Sequence, residues 1–481
     1  MAETPLIHHE LPVADQADTA RRFMLSAATE HSSVTPAAEL ADWLARRTVA
    51  GRARISRIPF AEATGWAFDV RSGNLAHASG RFFSVEGISV RTDRQWISSW
   101  IQPIIVQAEI GILGILVKEF DGVLHCLMQT KMEPGNVNTV QLSPTVQATR
   151  SNYLGVHRGK HVDYLDYFTG ARGGRVLVDV LQSEQGAWFL HKRNRNMVVE
   201  TEEDVPVGDD YRWLTFGQIK QLLQRDNVVN MDSRTVISCV PAVGFEAPDG
   251  DGTFAGSLLQ SLAGNTSALH SGSDILSWLT EIRATRDLVQ RRIPLNDTVQ
   301  GGWYRDDVQI AHESGRYFKV VAVSVEASSR EVSGWRQPLV EPNNPGLTAF
   351  LTKRVNGVLH VLMQARVDAG SLNGAELAPT VHCQPDNYAH YPERYRPSYL
   401  DYVLTVDPRR IRYDVMQSEE GGRFLHAQNR NVVIDVGDDI PVEAPYGYRW
   451  MTLNQLGVLL MHSNYLNVEA RSLLACMRTL W

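Results

Sequence analysis

Residues 182–198, QSEQGAWFLHKRNRNMV, gather carboxamide, hydroxyl, carboxylate, imidazole, ammonium and guanidinium groups within one short stretch. Gln182, Ser183, Arg193, Asn194, Arg195 and Asn196 together suit a polar ligand carrying a phosphate. A guanidinium grips phosphate oxygens in pairs, while Asn and Ser discriminate hydroxyl and base edges. The pattern returns at 417–433 as QSEEGGRFLHAQNRNVV, with 11 of 17 positions identical at a spacing of 418 − 183 = 235. Ser418, His426, Asn429, Arg430 and Asn431 are therefore the counterparts in a second copy. The competing reading is a polar hairpin whose Asn side chains bond their own backbone, as Asn does in turns. Both readings stay open for the four asparagines, and Arg195 and Arg430 favour a ligand.

A second cluster accompanies the first: Thr149-Arg150-Ser151-Asn152-Tyr153 in one copy and Gln384-Pro385-Asp386-Asn387-Tyr388 in the other. A Tyr beside an Asn can stack on a nucleobase and read its edge, and Trp66 and Trp303 are further aromatic candidates. Against this, any one aromatic is more often core than ligand shelf. His125 and His360 lie in apolar runs and read as satisfied structural residues. The copies also differ in chemistry. The first has more cations near its motif (Arg150, Lys192, Arg193, Arg195), whereas Ala427 and Gln428 replace Lys192 and Arg193 in the second. Conversely, Gln141, Gln147 and Gln185 become Glu376, His382 and Glu420, so the second copy is richer in proton carriers.

The elements that position these groups are themselves repeated. Trp43 answers to Trp278, GVLHCLMQ from Gly122 to GVLHVLMQ from Gly357, and Tyr164-Leu-Asp-Tyr to Tyr399-Leu-Asp-Tyr. Tyr211-Arg-Trp matches Tyr448-Arg-Trp at 450 − 213 = 237, after a two-residue insertion. So long a period means tandem domains rather than a solenoid. The expected division is an N-terminal appendage over 1–34, a first repeat over 35–242, a Gly/Ser-rich linker over 243–272 and a second repeat over 273–481. Thr35 with Pro36 predicts a helix start, and Ser273 begins its equivalent. Asp121-Gly122 and Asn356-Gly357 predict tight hairpins leading into strands at 123–129 and 358–364, and 176–181 and 411–416 read as strands. Capping boxes at Thr215/Gln218 and Thr452/Gln455 announce closing helices. Strands clustered between helices indicate an α+β unit.

Composition excludes several classes. With 47 basic and 54 acidic residues the net charge is −7, which offers no broad cationic surface for nucleic acid. The longest apolar stretch, Ile101 to Val117, is broken by Gln102, Pro103, Gln107 and Glu109, so no membrane span is expected. The N-terminus lacks the charged and apolar regions of an export signal, and four Cys without a Cys-x-x-Cys pair fit a reduced cytoplasm. No GxGxxG, GxxxxGK[ST] or His-Glu-x-x-His motif is present, so no nicotinamide, ATP or zinc cofactor is called for.

Through QSEQGAWFLHKRNRNMVVE, its second version, and the paired YLDY and YRW motifs, the chain resembles the NDP-hexose 2,3-dehydratases of deoxysugar biosynthesis, from about residue 35 to the end. The resemblance implies duplicated Nudix-like mixed-sheet domains with flanking helices, a homodimer, no cofactor, and a dTDP-linked 4-keto-6-deoxyhexose substrate. It implies work in natural-product glycosylation, where 2,6-dideoxy sugars are made. A Nudix hydrolase needs a helix with Arg-Glu, two further glutamates and glycines at fixed spacing, and neither copy has one. Without those metal carboxylates the diphosphate would be held and spared. The C4 ketone acidifies the C3 hydrogen, so a base can remove it and the C2 hydroxyl can leave with acid assistance. The expectation places this chemistry in the first copy, with Glu184 or His191 as base, Tyr153 as acid and Lys192 polarising the C4 oxygen. Exposure of Lys192 and a purely structural Glu184 are the competing readings. A Nudix-type nucleotide-sugar hydrolase and a non-catalytic nucleotide-sugar binding module are the alternatives.

Overall fold

The computed structural model describes residues 13–93, 97–149, 162–241, 252–264, 267–327 and 334–481 of the chain. Repeated sequence becomes repeated architecture: two seven-stranded sheets and two five-stranded sheets with helices packed on them, a duplicated α+β fold. One large sheet runs in the order Arg175–Ser183, Arg193–Glu200, Gly111–Phe120, Val123–Met132, Tyr211–Thr215. Its counterpart runs Ile411–Ser418, Gln428–Asp435, Gly346–Val355, Val358–Arg366, Tyr448–Thr452. In both, the strand carrying Asn-Arg-Asn lies parallel to one neighbour and antiparallel to the other, which makes the sheet mixed.

Local signals act where the sequence puts them. Asp121 and Gly122 have φ of 49° and 79°, and Asn356 and Gly357 have 51° and 80°, the left-handed pair that a two-residue hairpin turn requires. Phe120 accordingly faces Val123, and Val355 faces Val358. Both capping boxes form, at Thr215/Gln218 and Thr452/Gln455. His125 is hydrogen-bonded to Ser32 Oγ at 2.8 Å and to the Val123 carbonyl, and His360 to the Val358 carbonyl and the Leu269 amide, so both are satisfied structural residues.

Two helix starts differ from expectation. The Trp43 helix, Ala37–Ala50, starts after Pro36 with no side-chain cap, and Thr35 is buried with its carbonyl held by Gln218. The equivalent helix, Gly272–Thr285, is capped by Ser271 rather than begun by Ser273, because Asp274 completes a capping box with Ser271. The stretches read as appendage and linker contain one and the same element, helices Val13–Ala28 and Phe254–Ala263. Phe23 and Leu258 are both buried and stand 258 − 23 = 235 apart. At the same offset, Ser26 Oγ accepts from the Phe216 amide and Ser261 Oγ from the Leu453 amide. Sequence identity fades here while the packing pattern survives.

Hydrogen bonding also crosses the division between copies. Ala53–Ile58 pairs along Phe318–Ala327, and Leu288–Ile293 pairs along Ser84–Thr92, so each small sheet holds a strand from the other copy. The turn after each Gln-Ser-Glu docks on the opposite copy: the His191 amide donates to the Gly370 carbonyl and the His426 amide to the Gly135 carbonyl. A Cβ at Gly135 or Gly370 would overlap the carbonyl of Phe424 or Phe189, so glycine alone allows this approach. Between the large sheets, helices Met231–Ser238 and Val468–Met477 pack together fully buried. Arg234 reaches the Ser418 carbonyl and Ser472, while Arg471 reaches the Ser183 carbonyl and Thr235. One apolar core runs through both copies, with Val198 and Phe350 among its members. Among the described residues no helix is long and apolar enough to cross a membrane.

Candidate active site

The second copy holds a cavity of about 1080 Å³ whose floor is ionisable and whose walls are aromatic. Strand Val358–Arg366 ends at Arg366, whose Nε donates to Asp368 Oδ1 at 2.8 Å and whose second nitrogen grips the His382 carbonyl at 2.7 Å. That grip fixes the short strand Val381–Cys383 and presents His382 to the cavity. Strand Ile411–Ser418 delivers Glu419 just past its end. Asn429, on the adjoining strand, donates to one Glu419 oxygen, and Gln185 of the first copy donates to the other at 2.6 Å. Helix Val468–Met477 is capped by Asn467 and brings Glu469 in on its first turn, with Oε1 3.9 Å from His382 Nε2. Trp100, Trp188, Trp303, Tyr317 and Tyr388 form the walls, and Trp100 and Trp188 come from the first copy.

Burial sets the protonation states. It pushes the Glu469 carboxyl up to about 7, helped by Asp368, and Glu469 Oε2 has no partner. It also raises Glu419, with Glu469 adding to the effect and the Gln185 amide opposing it. Burial, then Arg366, lowers His382 to about 4, so its ring is neutral at neutral pH, with Nδ1 unpartnered. Two carboxyls with different hydrogen-bond shells beside a neutral imidazole make a proton-transfer site. Among the described residues no cluster of three His, Cys, Asp or Glu is arranged to hold a metal ion.

The corresponding place in the first copy is a tighter charged cluster. Asn194 donates to Glu184 at 2.7 Å, and Lys192 donates to Asn194 Oδ1 at 3.0 Å and to the Glu109 carbonyl. Burial pushes Glu184 up to about 7, with Arg471 opposing and Glu420 of the second copy adding. Burial likewise lowers Lys192 and raises Asp232.

The family NDP-hexose 2,3-dehydratase matches residues 37–240 and again 272–477 of this chain. The chain belongs to the NDP-hexose 2,3-dehydratase family. It is similar to dTDP-4-dehydro-6-deoxy-alpha-D-glucopyranose 2,3-dehydratases from Saccharopolyspora spinosa (52% identical, covering 96% of this chain and 95% of the relative) and Amycolatopsis orientalis (50%; 96% and 94%). A third, from Streptomyces violaceoruber, is 48% identical over 93% of this chain and 98% of the relative.

Against this dehydratase fold, the residues singled out by motif fall into three groups. Glu184, Lys192, Asn194, Asn429, Trp303, Gln384, Asn387 and Tyr388 lie in or against the two polar clusters. Lys192 is 7% exposed, which overturns its reading as a solvated charge. A second group serves the framework. Gln182 donates to the Leu460 carbonyl, Ser183 to Glu376 and Ser418 to Gln141. Asn196 bonds Thr235, Asn431 the Asn429 carbonyl, and Trp66 the Arg336 carbonyl. Thr149 and Arg193 are half-buried. A third group faces away. Arg195 pairs with Asp179 and Arg430 with Asp414 across adjacent strands, a pairing that competes with the phosphate-gripping reading of these arginines. His191 and His426 are exposed at left-handed turns (φ 53° and 51°), and His191 meets Gln290. Asp386 is also exposed. Arg150, Ser151, Asn152 and Tyr153 lie outside the described residues.

The motif reading missed Arg366, Asp368, Glu419 and Glu469. A signal existed: Lys131-x-Glu133 answers to Arg366-x-Asp368, and Asn230-x-Asp232 to Asn467-x-Glu469, so both copies keep a charge pair and an acid two residues past a helix cap.

Proposed function

We propose that the chain is a dTDP-4-dehydro-6-deoxy-glucose 2,3-dehydratase whose reaction runs in the second-copy cavity. The observation that carries this reading is the pairing, in one pocket, of Glu419 held by two amide donors with Glu469 whose second oxygen is unpartnered. Amide donors favour the ionised carboxylate, so Glu419 is the base that takes the C3 hydrogen as a proton. The electron pair moves onto the C4 oxygen as an enolate, with the positive charge of Arg366 in the same pocket. Collapse of the enolate expels the C2 hydroxyl, which leaves as water with the Glu469 proton. The resulting enol takes a proton at C2 and gives up the proton of its C3 hydroxyl, which yields the 3,4-diketo-2,6-dideoxy sugar. Water is lost and no electrons are exchanged with an outside group. The volume suits a nucleotide sugar, and Trp303 and Tyr388 offer faces for the thymine ring.

The test is turnover of this 4-keto sugar in deuterated buffer. Glu419→Gln should abolish both exchange of the C3 hydrogen and product formation. Glu469→Gln should keep the exchange while elimination slows about 10²–10⁴-fold. Full turnover in both variants would overturn the reading. A second reading, with chemistry in the first copy, is favoured by the buried Glu184–Lys192 cluster facing Glu420. Loss of turnover in Glu184→Gln and Lys192→Ala, with Glu419→Gln fully active, would establish it. We also infer a homodimer, to be checked by light scattering, and a cytoplasmic setting, which the four unpaired cysteines support.

A further inference from the structure

Every pocket residue so far assigned a proton-transfer role comes from the second copy. One polar side chain from the first copy also enters the ionisable floor. Gln185 is 1% exposed, lines the cavity, and donates through Nε2 to Glu419 Oε2 at 2.6 Å. The turn that carries it is clamped from both sides of the copy boundary: Gly370 donates to the Gly186 carbonyl at 2.6 Å, and the amides of Trp188 and Phe189 fold back on the Gln185 carbonyl. Gln185 is thus placed by backbone contacts and keeps its amide free to serve Glu419.

The duplicated fold contains its own control. Position 185 corresponds to 420, and the residue at 420 acts across the copy boundary on Glu184, but it is Glu instead of Gln. In the first copy Glu184 Oε1 is held by Asn194, as Glu419 Oε1 is held by Asn429. Glu184 Oε2, where Glu419 has Gln185, has no partner. The crossing residue is therefore what distinguishes a carboxylate with both oxygens bonded from one with a single donor.

We infer that Gln185 is a positioning residue for the dehydration: it crosses from the first copy to complete the hydrogen-bond shell of Glu419 and keep that carboxylate in its proton-accepting form. This inference rests on the second-copy reading of the reaction. The charged and titratable groups that face Glu419 are Glu469 and Arg234 on the two central helices and His382 on the adjoining short strand. Gln185 is the neutral donor among them that the opposite copy supplies, and removing it leaves Asn429 as the one amide donor to Glu419, against burial and Glu469.

The experiment compares pH profiles of kcat/KM and kcat for wild type, Gln185→Met and Gln185→Glu, each checked for folding by thermal melting and for binding of dTDP. Gln185→Met should move the acidic limb of kcat/KM upward by about one pH unit, with KM at the pH optimum little changed. Gln185→Glu, which installs the acid found at the equivalent position 420, should move it further and lower turnover at neutral pH more than about ten-fold. A residue that only filled space would leave the limb in place. Acidic limbs that superimpose on wild type in the folded variants overturn the inference, and Gln185→Glu, matched in size, carries the test alone if the Met variant does not fold. Glu419→Gln separates the two claims. If it is inactive while the Gln185 profiles match wild type, only the role of Gln185 fails, and if it is fully active the reading of the pocket fails.

Discussion

Glu376 offers a sharp test of the electrostatics between the copies. The residue is 5% exposed, and its carboxyl accepts from Ser183 Oγ at 2.9 Å on one oxygen and has no partner on the other. Burial pushes it up to about 7, with Ser183 and Arg471 opposing. The folded chain therefore keeps a proton that the unfolded chain releases between pH 4.5 and 7. For a carboxyl raised in this way, folding stability falls as pH rises through that window and stays low above it. Moving the carboxyl up to about 7 corresponds to about 3 kcal/mol. Gln141 stands in the equivalent place and accepts from Ser418 at 2.7 Å while donating to Asn138, and Asn373 occupies the position equivalent to Asn138. Glu376→Gln can therefore adopt a geometry the fold already contains. The variant should match wild type near pH 4.5 and exceed it by up to about 3 kcal/mol at pH 8, read from urea denaturation by tryptophan fluorescence. Glu184 titrates in the same window in both proteins and cancels in the difference. A stability difference that does not change with pH would refute the reasoning.

His191→Ala should retain turnover within about two-fold, because the ring is exposed and, among the described residues, bonds the Gln290 side chain; a loss beyond tenfold would mark it as a catalytic residue. Arg195→Ala and Arg430→Ala each remove a half-exposed cross-strand ion pair. Each should lower stability by about 0.2–1 kcal/mol in urea melts and leave KM unchanged, and a large rise in KM would return these arginines to the diphosphate.

Wherever a feature depended on neighbouring residues alone, it was legible. The Asp-Gly and Asn-Gly hairpins and the two Thr/Gln capping boxes rest on contacts within a few residues, whereas each strand-borne histidine adds a partner about ninety residues away, Ser32 for His125 and Leu269 for His360. The pocket was only half legible. Trp303, Gln384, Asn387, Tyr388 and Asn429 were marked by repetition, but Arg195 was drawn toward a ligand because nothing in its own motif shows that Asp179 lies opposite it. Asn194 and Arg195, adjacent in sequence, point to opposite faces of one strand, and only sheet burial decides which face is the site.

The amino-acid sequence by itself determined that one α+β unit is written twice, which turns and caps it uses, and, through its motifs, the family to which it belongs. Tertiary structure alone decided that the copies exchange strands, that Gln185 and Trp188 of one copy complete the pocket of the other, and that burial keeps a proton near Glu469 at neutral pH. The physical reason is range. Turn and cap preferences arise from a few consecutive residues, whereas desolvation and cross-copy hydrogen bonds depend on groups more than two hundred residues apart meeting in a place from which water is excluded.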